Sequence, residues 1–440
     1  MQVRQKISGL IIIAALSFPG WSFSQFKPAK VDAPSIPFDT FFITKTLRID
    51  YFIAGNDKEE TIYFDEMKQE PYWGGSRKNL IDPYDYGTYR YSAFDSLTGN
   101  LIFRRGFSSV FQEWKGTVEA KSFRKAFSMA GVMPFPKKSI RFVIEKRSFE
   151  TNLFEPLFDR NINPADYFIS REAIKKYPVT RIHEMGDPDN HLDIALIAEG
   201  YTVEEMPKFL KDAKRISDFI LSTIPYSQNV DRINIYAIEA PSQESGVDIP
   251  GKNIYINTNI NSSFYTFDTE RYMTTFVIKS IYDIAANVPY DAILILVNSK
   301  KYGGGGFYNL YAESTVDNTF SPLVVVHEFG HSFAGLGDEY VGGVAYSGFY
   351  NLNVEPWEPN LTTNKNFDRK WKALILPDTP IPTPRNDQYK STVGMFEGGG
   401  YEAKGVYSPM MDCRMNTNEA KVFCPACQQA IQKMIDFYCE

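Results

Sequence analysis

Ser321-Pro-Leu-Val-Val-Val-His-Glu-Phe-Gly-His-Ser-Phe-Ala-Gly-Leu-Gly-Asp-Glu-Tyr340 sets His327 and His331 four residues apart, with Glu328 beside the first. On a helix that spacing puts both imidazoles on one face. Two imidazoles so placed suit a zinc ion, and Glu328 stands where it can take a proton from an attacking water. The flanks favour a helix: Ser321 as its cap, Pro322 in the first turn, and Leu323-Val-Val-Val326 as an apolar face for burial. Two ordinary core histidines would leave Glu328 buried between them without a purpose.

Two ligands do not hold a catalytic zinc, so a third is expected nearby. In the metzincin pattern a Gly follows the second His by three and the third ligand follows that Gly by three. Here Gly335 follows His331 by four and Asp338 follows Gly335 by three, so one residue is inserted and the later spacing is kept. Glycine suits the point where the chain leaves the helix and turns back toward the metal. Asp338 is the expected third metal ligand, with Glu339 as the alternative; Gly337, at the usual ligand position, has no side chain to offer.

At these residues the chain resembles the IgA peptidase family of metallopeptidases. Ala198-Glu-Gly-Tyr-Thr202, Pro241-Ser-Gln-Glu-Ser-Gly-Val-Asp248, Gly394-Met-Phe-Glu-Gly-Gly-Gly-Tyr401, Cys413-Arg-Met415 and Phe423-Cys-Pro-Ala-Cys427 resemble that family's blocks in order. The resemblance implies a secreted zinc endopeptidase over residues 181–440, with an N-terminal domain often paired with it in front. It also implies a methionine turn under the metal, Met415 matching that block and Ser408-Pro-Met410 resembling the metzincin form. Arg414 stands where that block would carry an apolar residue.

Working outward, residues 38–148 alternate or cluster β-formers (46–53, 60–64, 99–105, 139–145) between turn signals such as Gly55-Asn56 and Thr98-Gly99-Asn100. An all-β sandwich over 25–150 is expected, then a linker over 151–180 with a short helix at 164–176. The fold class of residues 181–440 is expected to be α/β or α+β and metzincin-like. Short apolar runs at 192–198, 233–238 and 292–297 alternate with helical patterns at 203–222, where Thr202-Val-Glu-Glu205 has capping-box form, and near 270–286. Tyr302-Gly-Gly-Gly-Gly-Phe-Tyr308 reads as a loop, either a rim closing over an extended substrate or plain surface. Tyr340 and Tyr401 are candidates for lining a cleft. His183-Glu184 lacks a second His, and Asp187-Pro-Asp-Asn-His-Leu-Asp193 lacks calcium-loop spacing, so both read as turns.

Residues 1–24 carry Arg4 and Lys6, an apolar run of about a dozen residues where a membrane span needs about 20, and Ser22-Phe23-Ser24 before the expected cut. A cleaved signal peptide, and a secreted or periplasmic location, are expected. All four cysteines (Cys413, Cys424, Cys427, Cys439) cluster at the C-terminal end. In an exported chain that favours a disulfide staple over the rival, a zinc knot of four thiolates. Across 440 residues, 47 Lys plus Arg oppose 53 Asp plus Glu, a net charge of −6 that gives no general attraction to nucleic acid. The mean hydropathy of −0.29 excludes a polytopic membrane protein. Three functions compete: a secreted zinc endopeptidase acting on protein or glycoprotein, an exported surface-binding protein with a structural or degenerate metal site, and a zinc hydrolase of another amide. An intact Glu328 favours a hydrolase, because a structural site does not require it.

Overall fold

The computed structural model describes residues 36–342 and 348–440; the expected signal peptide lies outside the described residues. A single turn, Phe38–Phe41 (α1), leads into two four-stranded sheets. The first has the order β5 (Lys125–Pro136), β1 (Phe42–Gly55), β2 (Glu60–Glu70), β8 (Ile169–Ser170). The second has the order β4 (Leu101–Phe107), β3 (Tyr89–Asp95), β6 (Ile140–Arg147), β7 (Phe154–Ile162). Leu47, Ile49, Tyr51 and Ile53 of β1 share one core with Tyr91, Phe103 and Phe142 of the other sheet. Between β4 and β5 stands a short helix, Val110–Lys115 (α2), whose N-cap Ser109 accepts a hydrogen bond from the Gln112 N–H at 3.3 Å.

Residues 151–180 are not a free linker: β7 pairs with β6 along its length and β8 pairs with β2, so the chain finishes both sheets there. The helix expected at 164–176 does not form. Ile162 and Ile169 are drawn into the sheet core instead, an override of local propensity by packing.

The second body is built on a six-stranded sheet of order β13 (Gly304–Phe307), β14 (Tyr311–Thr315), β12 (Ala292–Val297), β10 (Leu192–Glu199), β11 (Ile233–Ile238), β9 (Val179–His183). Its four inner strands run parallel and its two edges antiparallel. Every residue of β10 is buried, which is why its sequence is nearly all apolar: both faces of a parallel sheet are covered. Ala195 and Ile197 join the core of the N-terminal sheets together with helix α4 (Ile278–Ala285). Ile194 and Leu196, pointing the other way, pack with α3 (Met206–Ser222), α5 (Ser321–Ala334) and α6 (Pro425–Cys439). The capping box forms ahead of α3, with the Thr202 N–H donating to Glu205 Oε2 at 3.0 Å. The helix expected over 270–286 is confined to α4, because the residues before it extend along β13, Tyr272 bridging Gly304.

The two bodies are held together by charge as well as by core. Arg48 of β1 is buried and donates to Asp50, to Glu70 at 3.0 Å and to Asp283 of α4 at 2.9 Å. A final hairpin, β15 (Phe396–Gly399) and β16 (Glu402–Ser408), returns the chain toward the C-terminal end of α5. Among the described residues no helix is long and apolar enough to cross a membrane.

Candidate metal centre

Helix α5 begins at Ser321 itself, one residue later than a Ser321 cap would have it, with Phe320 as N-cap. It ends at Gly335, which adopts φ 63°, a left-handed conformation open to glycine at little cost. The Gly335 N–H bonds to the His331 carbonyl at 3.0 Å and the Leu336 N–H to the Gly330 carbonyl at 3.2 Å, closing the helix end. Asn360 then holds both sides of Gly337, accepting its N–H at 2.7 Å and donating to its carbonyl at 2.8 Å. This path delivers Asp338 to the face of α5 that carries His327 and His331.

The three side chains converge. His327 Nε2 and His331 Nε2 are 3.1 Å apart, and Asp338 Oδ1 lies 3.1 and 3.4 Å from them. A tetrahedral cation with ligand bonds near 2.0–2.1 Å has edges of about 3.3 Å, so these separations fit one. Each imidazole commits its Nδ1–H elsewhere, His327 to the Arg414 carbonyl at 3.0 Å and His331 to the Leu336 carbonyl at 2.5 Å, which leaves both Nε2 lone pairs facing inward. Asp338 Oδ1 is buried without a hydrogen-bond donor, while Oδ2 accepts from Tyr401 Oη at 2.5 Å. A ligand atom of Glu328 lies within 4.8 Å of those of both histidines.

The electrostatics point the same way. Burial opposes charge on His331, yet Asp338 and Glu328 draw its imidazole up to about 9. Burial likewise opposes charge on Asp338, but the two imidazoles hold it well below the usual carboxylate range. The cluster thus carries negative charge that calls for a cation. Burial pushes the Glu328 carboxyl up, the direction that makes a better base at neutral pH.

The cleft over this cluster is lined by Arg271, Tyr272, Tyr302, Gly304, Tyr340 and Tyr401, and also by Glu113 of α2, from the N-terminal sheets. Tyr272 Oη donates to Glu113 Oε2 at 2.5 Å, and burial raises that carboxyl to about 7. Nothing in the sequence singled out Glu113 or Arg271; both reach the cleft only through tertiary contact.

The Gly303-Gly-Gly-Gly306 run, read as a loop, is instead β13, an edge strand lying on α5. A side chain on Gly306 would come within 2.4 Å of the Glu328 carbonyl, and one on Gly304 within 2.9 Å of Glu328 Cγ. Glycine is required there by closeness to the helix. Met415 is fully buried beneath α5, where a Cβ on Gly330 would meet its Sδ at 3.1 Å; Met410 is only partly buried. Arg414 is buried too, donating to the Asn418 carbonyl at 3.3 Å while its own carbonyl accepts from His327. His183 and His191 bond to the Val230 and Asp187 carbonyls.

The expected disulfide staple is absent: all four cysteines are free thiols. Cys439 stands apart, its Sγ against the Arg232 carbonyl at 3.4 Å. The other three gather around Glu339, which points away from the histidines, so Asp338 and not Glu339 faces them.

A search among curated proteins finds no significant match. The profile of the IgA peptidase M64 family matches residues 180–390 and 385–435, together more than half of the chain, and that of the Peptidase M64 N-terminus matches residues 37–158. The chain belongs to the IgA peptidase M64 family, and it is accordingly a metallopeptidase.

Proposed function

We propose that the chain is a secreted, metzincin-like zinc endopeptidase that hydrolyses peptide bonds in protein or glycoprotein substrates, with the N-terminal sheets forming part of its cleft. One observation carries the reading: His327 Nε2, His331 Nε2 and Asp338 Oδ1 stand 3.1–3.4 Å from one another under an open cleft, with Glu328 beside them. These three residues would hold the zinc. A zinc ion there lowers the pKa of a water and polarises the scissile carbonyl.

Glu328 takes one proton from the attacking water as its oxygen bonds to the carbonyl carbon, and passes that proton to the amide nitrogen as the C–N bond breaks. The Arg414 and Leu336 carbonyls keep each imidazole in the tautomer whose Nε2 is free. Tyr401 holds Asp338 by its outer oxygen. Arg271 and Tyr340, on the cleft wall, are placed to bind substrate carbonyls. The family name does not make immunoglobulin A the substrate of this chain.

The test is zinc content and cleavage of a denatured protein mixture by the purified chain, beside Glu328→Ala and Asp338→Ala. Glu328→Ala should keep zinc and lose cleavage, and Asp338→Ala should bind zinc more weakly. Stoichiometric zinc with no cleavage by the wild type, across the whole mixture, would favour a binding role, and absence of zinc would sink the site.

A further inference from the structure

Asp338 and Glu339 are consecutive, and their side chains point to opposite sides of an extended segment. Asp338 faces the two histidines; Glu339 faces Cys413, Cys424 and Cys427, and all four of that second group are buried. Cys427 Sγ lies 3.1 Å from Glu339 Oε1, Cys424 Sγ 3.8 Å from the same oxygen, and Cys413 Sγ 3.8 Å from Cys427 Sγ. All four ligand atoms fall within 4.8 Å of one another.

A disulfide does not account for this arrangement. The Cys413–Cys427 separation is nearly twice a sulfur–sulfur bond, and joining those two would leave Cys424 and Glu339 buried without a partner in common. A tetrahedral ion does account for it: with Zn–S near 2.3 Å and Zn–O near 2.0 Å, ligand atoms are separated by about 3.5–3.8 Å. Glu339 Oε2 is buried with no hydrogen-bond partner, while Asn360 Nδ2 steadies Oε1 at 3.0 Å. The Cys424 N–H donates to Cys413 Sγ at 3.1 Å, the type of bond that stabilises a thiolate. Cys424 and Cys427 open helix α6, whose amino end favours negative charge.

We propose that Cys413, Cys424, Cys427 and Glu339 bind a second, structural zinc ion, separate from the one at the histidines, that braces the segment carrying Asp338. Three sulfurs and one oxygen select a thiolate-loving ion of tetrahedral habit. Binding releases the thiol protons, so affinity rises with pH. The brace acts twice. Glu339 is covalently next to Asp338, and Cys413 anchors the turn whose Arg414 carbonyl orients His327. The Glu339 N–H also donates to the Met415 carbonyl at 2.8 Å, tying the two segments into one unit. The second site stands independently of the peptidase reading.

Zinc counting on the purified full chain tests it. The wild type should hold about two zinc ions, and a His327→Ala/His331→Ala variant about one. Cobalt substituted into that double variant should show the near-ultraviolet charge-transfer absorption of a thiolate–cobalt bond, which nitrogen and oxygen ligands do not give. A Cys427→Ser variant should lose that absorption and weaken zinc at the histidine site by about tenfold or more. One zinc in the wild type that vanishes with the two histidines would overturn the proposal. So would a Cys413–Cys427 disulfide, found by mass spectrometry of protein alkylated without reductant. If Cys427→Ser fails to fold, the counts and the cobalt spectrum of the double variant still decide. One zinc in both wild type and double variant would leave the thiolate site standing and sink the histidine site instead.

Discussion

Replacing Tyr401 by Phe removes a single oxygen from the cleft, and its cost follows from the geometry. Tyr401 Oη donates to Asp338 Oδ2 at 2.5 Å, and Asp338 is ionised between two imidazoles. A hydrogen bond to a charged acceptor is worth about 1.5–3 kcal/mol. At about 1.4 kcal/mol per factor of ten, its loss should weaken zinc binding at the histidine site by roughly 10- to 100-fold, the range seen when other metal sites lose an outer-shell partner. The fold should tolerate the change, because the ring keeps its edge contact with Tyr340, whose centroid is 5.4 Å away. Competition against a chromophoric chelator gives the affinity, and thermal melting of the zinc-free protein checks the fold. An affinity within about threefold of wild type, at unchanged melting temperature, would refute the claim that Tyr401 holds Asp338 toward the metal.

Three further outcomes are expected. Glu328→Gln should keep zinc and lower turnover by about 10²–10⁴-fold, read as cleavage rate at matched zinc content. Glu313 of β14 is buried, and burial raises its carboxyl from 4.5 to about 8, so its protonated form is favoured by folding and the benefit is lost as pH rises through that window. Glu313→Gln should therefore flatten the fall in melting temperature between about pH 5 and 8, and an unchanged slope would show that Glu313 titrates normally. Arg48→Met leaves Asp50 and Glu70 buried without their cation and should cost about 3–5 kcal/mol in chemical denaturation; a loss under about 1 kcal/mol would mean that water reaches the pair.

Where short-range pattern and long-range packing agree, the sequence was readable. β10, β11 and β12 announce themselves as apolar runs because both faces of their sheet are covered, and the spacing of His327, Glu328, His331, Gly335 and Asp338 is written along one helix and the turn that ends it. Where the reason for a residue lies in a distant segment, the reading failed. The glycines of β13 carry a turn signal in sequence, but their cause is the backbone of α5 a few ångströms away. Residues 151–180 have little local pattern of their own and become strands only because β6 and β2 offer free edges. The cysteines were read by compartment and number, whereas their arrangement is set by Glu339, a residue more than seventy positions earlier.

Glu113 gives the N-terminal sheets a stake in the chemistry. A fragment beginning near residue 180 would keep every residue that faces the metal, yet one wall of its cleft would be missing and Tyr272 would lose its carboxylate acceptor. Core residues of β10 such as Ile197, now packed with those sheets, would meet water. The two family profiles divide the chain in sequence, but the cleft does not divide with them. Grafting a different N-terminal module onto this body would alter which substrates fit, even with the histidines untouched.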